Sequence, residues 1–289
     1  MTAPALQPIL AELRSEPSRI WSIVITVYGD AILPRGGSVW LGTLARFFEA
    51  LGIGEGAVRT AMSRLAADGW LVRSRVGRNS FYRLADKGRD TFAAATEHIY
   101  NPPALPWSGA FELAILPQNG EREAARAAFQ EAGFGSPSPG LWIAPKGAAL
   151  PGGAAEGALR LSASTDSQTA ARLAASAWPL ARTAEGYTRF IRLFEPLSRV
   201  LAGGAELGET DSFLVRILLI HAYRRVILRD PILPPALLPP DWPGAEAREL
   251  CGAIYHAVLA PSEAWLDENG LCEAGRLPKP GPALKRRFR

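Results

Sequence analysis

The chain has only two cysteines and three histidines in 289 residues, and their spacings match no common metal or cofactor motif. Cys251 and Cys272 form neither a CxxC pair nor a disulfide framework, so we expect two reduced thiols. His98, His221 and His256 form no HExxH pair. The composition therefore favours neither a zinc protein nor a disulfide-rich secreted protein, and we expect no cofactor.

Long apolar runs and catalytic motifs are missing as well. No apolar segment approaches the roughly 20 residues that span a bilayer, and the N-terminus lacks the pattern of a secretion signal. We therefore expect a cytoplasmic protein without membrane contact. GxSxG, Walker and GxGxxG patterns are absent, and Cys251 and His256 fall on different faces of one helix. The sequence predicts a protein that is not an enzyme, with no catalytic or metal-binding residue.

Proline and glycine, with 24 and 28 residues, divide the chain into three segments. The clearest break is NPPALPWSG at 101–109, where successive prolines favour an extended linker. Residues 110–182 follow a β-α-β-β-α pattern, which is typical of a ferredoxin-like fold that lacks a clear last strand. Residues 183–289 read as mostly helical, with amphipathic helices. We predict an α+β protein with an N-terminal domain at 1–100, a central domain at 110–182 and a helical C-terminal domain at 183–289.

The N-terminal segment predicts two helices, at 38–51 and at about 55–68, with GIGEG as the turn between them. In the first helix the apolar residues Leu41, Leu44 and Phe48 share one face. In the second helix Val58, Met62 and Leu65 form the buried stripe, and Gly69 ends the helix. The polar side chains of the second helix point away from that stripe or lie at its edge: Arg59, Thr60, Ser63 and Arg64.

A basic β-hairpin follows at once, with WLVRSRV and FYRLADKG as strands around the turn GRNS. Its candidate DNA-binding residues are Arg73, Arg75, Arg78, Asn79 and Arg83. A helix, a turn, a second helix and a basic hairpin make a winged helix-turn-helix, whose second helix enters the major groove. Arginine is well shaped for guanine edges and for phosphate. Surface arginines are common and winged domains also bind proteins, but the complete order favours double-stranded DNA as the partner.

The segments VRTAMSRLAADGWLVRSRVGRNSFYRLADKG and LLIHAYRRVILRDPILPPALLPPDWPG resemble the PaaX family, the repressors of phenylacetic acid degradation. The resemblance covers nearly the whole chain. It implies a homodimeric bacterial repressor that binds a partly palindromic operator. It also implies release from DNA by an aryl-acyl-CoA, typically phenylacetyl-CoA. A winged-helix regulator without a small-molecule effector is the alternative.

A candidate effector site lies in the C-terminal segment, where His221, Arg224 and Arg225 share a helix face at spacing i, i+3, i+4. These side chains suit the phosphates of coenzyme A. They equally suit ion pairs that dock the helix to the central domain. Aromatic residues of the same region, Trp178, Tyr187, Phe190 and Trp242, line either an aryl pocket or the core.

Two further features have alternative interpretations. The central domain resembles the CRISPR-associated Cas2 proteins, some of which are metal-dependent nucleases, but Gln118 and Asn119 stand where the metal-binding acid is expected. A nuclease is therefore disfavoured, and we expect a dimerisation or relay domain. The C-terminal KPGPALKRRFR is basic without an acid, so we expect a solvated tail.

Overall fold

The computed structural model describes residues 4–15, 20–102, 106–117 and 122–289, which pack as two compact units. The first unit contains the described residues up to 101 together with 187–228 and 245–289. The second contains the described residues of 102–186 together with 229–244. Both units contain helices and an antiparallel sheet, so the chain is an α+β protein. Gln118 and Asn119 lie outside the described residues.

The first unit begins with α1 (Gln7–Ser15), α2 (Ile20–Val27), a π-helical turn (Tyr28–Ile32), β1 (Ser38–Trp40), α3 (Leu41–Ala50), α4 (Glu55–Ala67), β2 (Leu71–Val76), β3 (Asn79–Leu84) and α5 (Asp86–Tyr100). The three strands form one antiparallel sheet in the order β1-β3-β2. The sheet, α3 and α4 pack on a core that includes Leu44, Phe48, Val58 and Met62, all nearly inaccessible to solvent. The predicted apolar faces of both helices are therefore confirmed.

The start of the first predicted helix is wrong, because its first three residues form β1. Ser38 to Trp40 pair with β3, a strand more than 40 residues further along the chain. The backbone donors and acceptors of this segment are satisfied by that partner, and the helix begins only at Leu41. The end of α4 follows the prediction, since Gly69 adopts a φ of 74°.

The second unit contains β4 (Ala110–Ile115), α6 (Arg122–Glu131), β5 (Gly135–Ser138), β6 (Leu141–Pro145), β7 (Leu159–Ser164) and α7 (Ser167–Ala177). Its four strands form an antiparallel sheet in the order β5-β6-β4-β7. The strand β5, with the sequence GSPS, is missing from the predicted pattern because glycine, serine and proline have low strand propensity. Helix α7 covers one face of the sheet, whereas α6 and the β6–β7 connection cover the other.

The C-terminal part contains α8 (Leu180–Ala202), α9 (Glu209–Ile227), α10 (Gly244–Asn269), β8 (Leu271–Cys272) and β9 (Gly275–Arg276). The prediction of an amphipathic α9 is wrong, since every residue from 212 to 221 is buried. A helix that is buried on all sides lies inside its unit and supplies core to its neighbours. Helix α9 is therefore the central helix of the first unit.

The basic C-terminal tail is not the solvated segment that we expected. Leu284 and Arg287 are buried, and the ring of Phe288 lies 5.2 Å from that of Tyr100 and 5.4 Å from that of Tyr255. A Cβ at Gly252 of α10 would lie only 3.1 Å from the Cβ of Phe288, so glycine gives the tail room to approach the helix. Leu284, Arg287 and Phe288 thus anchor the tail to the core of the first unit, while its other basic residues stay exposed: Lys279, Lys285, Arg286 and Arg289.

Candidate nucleic-acid interface

Helix α4 separates its apolar and polar side chains onto opposite faces. Val58, Met62 and Leu65 are buried. The four candidate DNA-binding side chains of this helix are all exposed: Arg59, Thr60, Ser63 and Arg64. The burial of the stripe fixes the helix on the sheet, and the rotation of 100° per residue then directs these polar groups into solvent.

Contacts that hold the exposed α4 side chains are weak. Arg59 forms an ion pair with Glu55 one turn earlier, and both side chains are more than half exposed. Such a pair contributes about 0–1 kcal/mol in water. Thr60 donates its hydroxyl proton to the carbonyl oxygen of Gly56 at 2.9 Å. The guanidinium of Arg59 can therefore exchange Glu55 for another anionic partner at little cost.

The hairpin places its basic residues on two faces and at the tip. Arg73 stands opposite Tyr82 and Arg75 opposite Ser80, so these two arginines share one face of the sheet. Arg73 donates to Oγ of Ser80 at 2.8 Å. Arg78 lies in the two-residue turn with Gly77, whose φ of 60° suits glycine. All three arginines are exposed.

Arg83 and Asn79 lie on the other face of the hairpin, opposite Val72 and Val76. This face lies beside Glu273, which follows β8 and accepts hydrogen bonds of 2.6 Å from Ser38 and Ser74. Partial burial opposes the ionisation of Glu273, but these hydrogen bonds and the charge of Arg83 hold its pKa below the usual value. Arg83 therefore has a carboxylate nearby. We call the nine exposed candidates of α4 and the hairpin the basic surface.

The three candidate effector residues of α9 have different environments. His221 is buried, and its Nδ1 lies 3.1 Å from Oγ1 of Thr26. Burial, followed by the charges of Arg224 and Arg225, lowers the pKa of His221 to about 3, so the ring is neutral at neutral pH. Arg224 is half-buried and donates to the carbonyl oxygen and the hydroxyl of Ser22 at 3.0 and 2.8 Å. Arg225 is exposed.

The sequence analysis missed a cluster of buried charges around Asp30, in the π-helical turn after α2. Arg216 donates to Oδ2 of Asp30 at 2.6 Å, and Arg287 donates to Oδ1 at 2.8 Å. The hydroxyls of Tyr100 and Tyr255 donate to Oδ1 at 2.5 and 3.1 Å. Burial alone would lower the pKa of Arg216, but Asp30, Tyr255 and Glu263 together outweigh burial and raise that pKa. We call these five residues the Asp30 cluster. Its sequence signal is a single acid in the apolar run SIVITVYGDAIL.

Most of the aromatic candidates belong to the core. Trp178, Tyr187 and Phe190 are buried, and Trp242 packs against the cluster of the second unit that includes Phe111 and Ile143. A cavity in the first unit is lined by other aromatic residues, Trp21, Trp70 and Phe92, which the sequence analysis did not select. They are spread over almost 75 residues of sequence and only the fold brings them together.

No helix within the described ranges is long and apolar enough to cross a membrane. In the same part of the chain, no group of three or more His, Cys, Asp or Glu side chains is placed to hold a metal ion.

The helix and the hairpin that follow each other expose their arginines and form the basic surface of an α+β protein. The chain matches the model of the PaaX-like protein family over residues 19–88, and the model of the PaaX-like protein C-terminal domain over 178–268. It is 37% identical over 282 residues to the transcriptional repressor PaaX of Escherichia coli (strain K12), covering 92% of this chain and 89% of that relative. The chain belongs to the PaaX-like family, as the sequence resemblance predicted.

A solved structure is similar as well. The uncharacterized protein Rv0674 from Mycobacterium tuberculosis is 27% identical, with a TM-score of 0.53 over 77% of this chain and 89% of that one. This likeness supports a shared α+β fold.

Proposed function

We propose that this protein is a DNA-binding transcriptional repressor of a phenylacetate-type catabolic operon. The observation that carries the proposal is the 37% identity to a transcriptional repressor along nearly the whole chain, which includes the basic surface. All nine residues of that surface are exposed, as contact with an extended polyanion requires. A regulator of this kind has no catalytic residue and acts in the cytoplasm, where bacterial DNA lies.

In this proposal residues 1–100 act as a winged helix-turn-helix. Helix α4 enters the major groove, where Arg59, Thr60, Ser63 and Arg64 contact base edges and the adjoining backbone. The hairpin is the wing. Arg73, Arg75, Arg78 and Asn79 contact phosphates or the minor groove. Arg83 contributes least, because the nearby carboxylate of Glu273 offsets its charge.

The two remaining segments serve assembly and sensing. We assign dimerisation to the central segment, as a ferredoxin-like variant in which the β6–β7 connection takes the place of the second helix. A homodimer presents two α4 helices about 34 Å apart, or a multiple of that distance, to a partly palindromic operator. The helical segment after residue 183 takes part in sensing the effector.

The effector in this proposal is an aryl-acyl-CoA such as phenylacetyl-CoA. Arg225 is exposed and Arg224 half-buried on one turn of α9, so both suit the phosphates or the acyl end of such a ligand. His221 is neutral, so its part is to hold α9 against Thr26 rather than to supply charge. The ligand releases the repressor if it prefers a conformation in which the two wings no longer match the operator, because only differential affinity shifts the equilibrium.

The proposal is tested by fluorescence anisotropy on the DNA upstream of the protein's own gene, in moderate salt with excess competitor DNA. We expect tight specific binding that phenylacetyl-CoA reverses and free coenzyme A does not. Specific binding that neither ligand reverses would support the regulator without a small-molecule effector. Absence of specific binding to any fragment of the surrounding operon would contradict the repressor function.

A further inference from the structure

The first unit contains a cavity of about 300 Å³ beneath helix α4. Its walls come from α2, α5, α9, the end of α4 and the turn after it. Cavities that bind small organic ligands measure about 300–1,000 Å³. This cavity therefore has room for an aromatic ring with a short substituent but is too small to hold a nucleotide as well.

The cavity wall is mostly apolar, and two charged residues line it, Arg224 and the buried Asp30. Rings of Trp21, Trp70 and Phe92 line it, and Ala95 of α5 leaves space between them. The cation is Arg224, whose Nη2 is held by Ser22. Its Nε is buried, and within the described part of the chain no acceptor lies in hydrogen-bonding distance of that atom. A buried donor without a partner is unfavourable, so a ligand acceptor placed there is stabilised.

We propose that this cavity binds the aryl-acyl part of the effector, with the ring among the three aromatic side chains and the acyl carbonyl accepting a hydrogen bond from Nε of Arg224. This inference rests on the proposed function for the identity of the effector. The coenzyme A part stays outside the cavity, where the exposed Arg225 lies one residue away on α9.

The same cavity links the ligand to the DNA-binding elements. Leu65, the last residue of the buried α4 stripe, lines it together with Trp70. The backbone N–H of Trp70 donates to the carbonyl oxygen of Leu65 at 2.9 Å, and its own carbonyl oxygen accepts from Ala85 at 3.0 Å. Trp70 thus joins the end of α4 to the ends of both hairpin strands. A ring that presses against Leu65 and Trp70 would displace α4 and the hairpin together. Release from DNA requires such an element with two alternative positions.

Calorimetric titration of the full-length protein tests the site directly. Phenylacetyl-CoA, phenylacetate and acetyl-CoA are the probes, since the second lacks the coenzyme and the third lacks the ring. Burial of a phenyl ring is worth about 1.5–3 kcal/mol, so acetyl-CoA is expected to bind at least about tenfold more weakly than phenylacetyl-CoA. Equal affinity for the two thioesters, or no binding of either aryl ligand, overturns the proposal.

Two pairs of variants locate the site. Ala95→Phe fills the cavity, whereas Ala94→Phe adds the same ring at the neighbouring exposed position of α5. We expect Ala95→Phe to weaken phenylacetyl-CoA binding by about tenfold or more and Ala94→Phe to change it by less than about twofold. Arg224→Lys retains the charge but lacks the Nε donor, and it keeps the test decisive if Ala95→Phe does not fold. Its control is Arg199→Lys, at an exposed position of α8 outside the cavity lining. The proposal would be overturned if, in the Ala95 pair and in the Arg224 pair alike, the variant and its control changed phenylacetyl-CoA binding equally.

Failure of the cavity and failure of the proposed function give different results. Release of Ala95→Phe from operator DNA by phenylacetyl-CoA at the wild-type concentration overturns the cavity as effector site and leaves the proposed function intact. Binding of phenylacetyl-CoA that the cavity variants abolish, without any release of the wild type from DNA, supports the cavity and contradicts the proposed release.

Discussion

The basic surface and the Asp30 cluster lie in the same unit, and both are built around arginine, but their guanidinium groups have opposite environments. Arg59 is 64% exposed and pairs with Glu55 in water, whereas Arg216 is fully buried and pairs with Asp30. An exposed pair contributes about 0–1 kcal/mol and can exchange partners. A buried charge must keep its partner, because its desolvation is costly. The comparison teaches that partners and burial, rather than the number of arginines, decide which region can bind DNA.

The largest effect is expected from Asp30→Asn, which removes the carboxylate of the buried Asp30 cluster. Arg287 would lose the Asp30 carboxylate, and Arg216 would lose one of its two carboxylate partners, Asp30 and Glu263, while both guanidinium groups remain buried. Removal of one partner of a buried pair costs about 3–5 kcal/mol of unfolding free energy. Urea denaturation at fixed protein concentration measures the loss. Glu55→Gln, which breaks the exposed pair, serves as the control and should cost less than about 1 kcal/mol. Similar losses for the two variants would refute the comparison.

A pH-dependent effect on stability is expected from His221, which is buried in the same unit as the Asp30 cluster. The folded state holds this ring neutral with a pKa of about 3, whereas the histidine of the unfolded chain titrates at its ordinary pKa of 6.5. Between these two pH values the unfolded chain binds one proton more, so stability rises with pH and is lost as the pH falls. The slope is about 1.4 kcal/mol per pH unit in the middle of this window. Urea denaturation at pH 6.5, 5.5 and 4.5 measures it.

His221→Gln retains a polar side chain beside Thr26 without the titration. We expect the slope of its unfolding free energy against pH to be smaller than that of the wild type by the amount that His221 contributes. A variant with the same pH dependence as the wild type would show that folding does not lower the pKa of His221.

The smallest effects distinguish residues within the basic surface itself. Arg78 stands at the exposed tip of the hairpin, whereas Arg83 lies near Glu273. Arg78→Ala should weaken binding to all DNA sequences and reduce the slope of log affinity against log salt by about 1, as loss of one phosphate contact does. Arg83→Ala should reduce this slope by clearly less than Arg78→Ala does. Anisotropy titrations at four salt concentrations measure both, and a larger effect for Arg83→Ala would reverse our assignment of the two hairpin faces.

Local patterns predicted the parts of the fold that local forces determine. The stripe of Val58, Met62 and Leu65 and the turn at Gly77 are visible in a short window of sequence, and the structure contains both. The strand β1 was not predictable in this way, because its hydrogen-bond partner β3 is remote in sequence. Among the candidate site residues, exposure followed from helical periodicity in α4.

Non-local packing decided the rest. The tail reads as a charged end, but Arg287 is buried against Asp30, and the space at Gly252 lets Phe288 pack on α10. The residues of the cavity lie on elements that are distant in sequence, so no spacing rule selects Trp21 and Trp70 together. The central helix α9 looked amphipathic because its charged residues Arg216 and Arg224 count as polar, although one is fully buried and the other half-buried.

The central claim, that the exposed arginines of α4 read DNA, is tested most directly by Arg59→Ala beside Arg199→Ala. The two arginines form equivalent exposed i,i+4 pairs, with Glu55 and Glu195, so the variants change net charge and helix contacts equally. We predict that anisotropy on the operator fragment shows about tenfold or greater weakening and altered base preference for Arg59→Ala. Arg199→Ala should stay within about twofold of the wild type. Equal affinities of the two variants for the operator would contradict the claim.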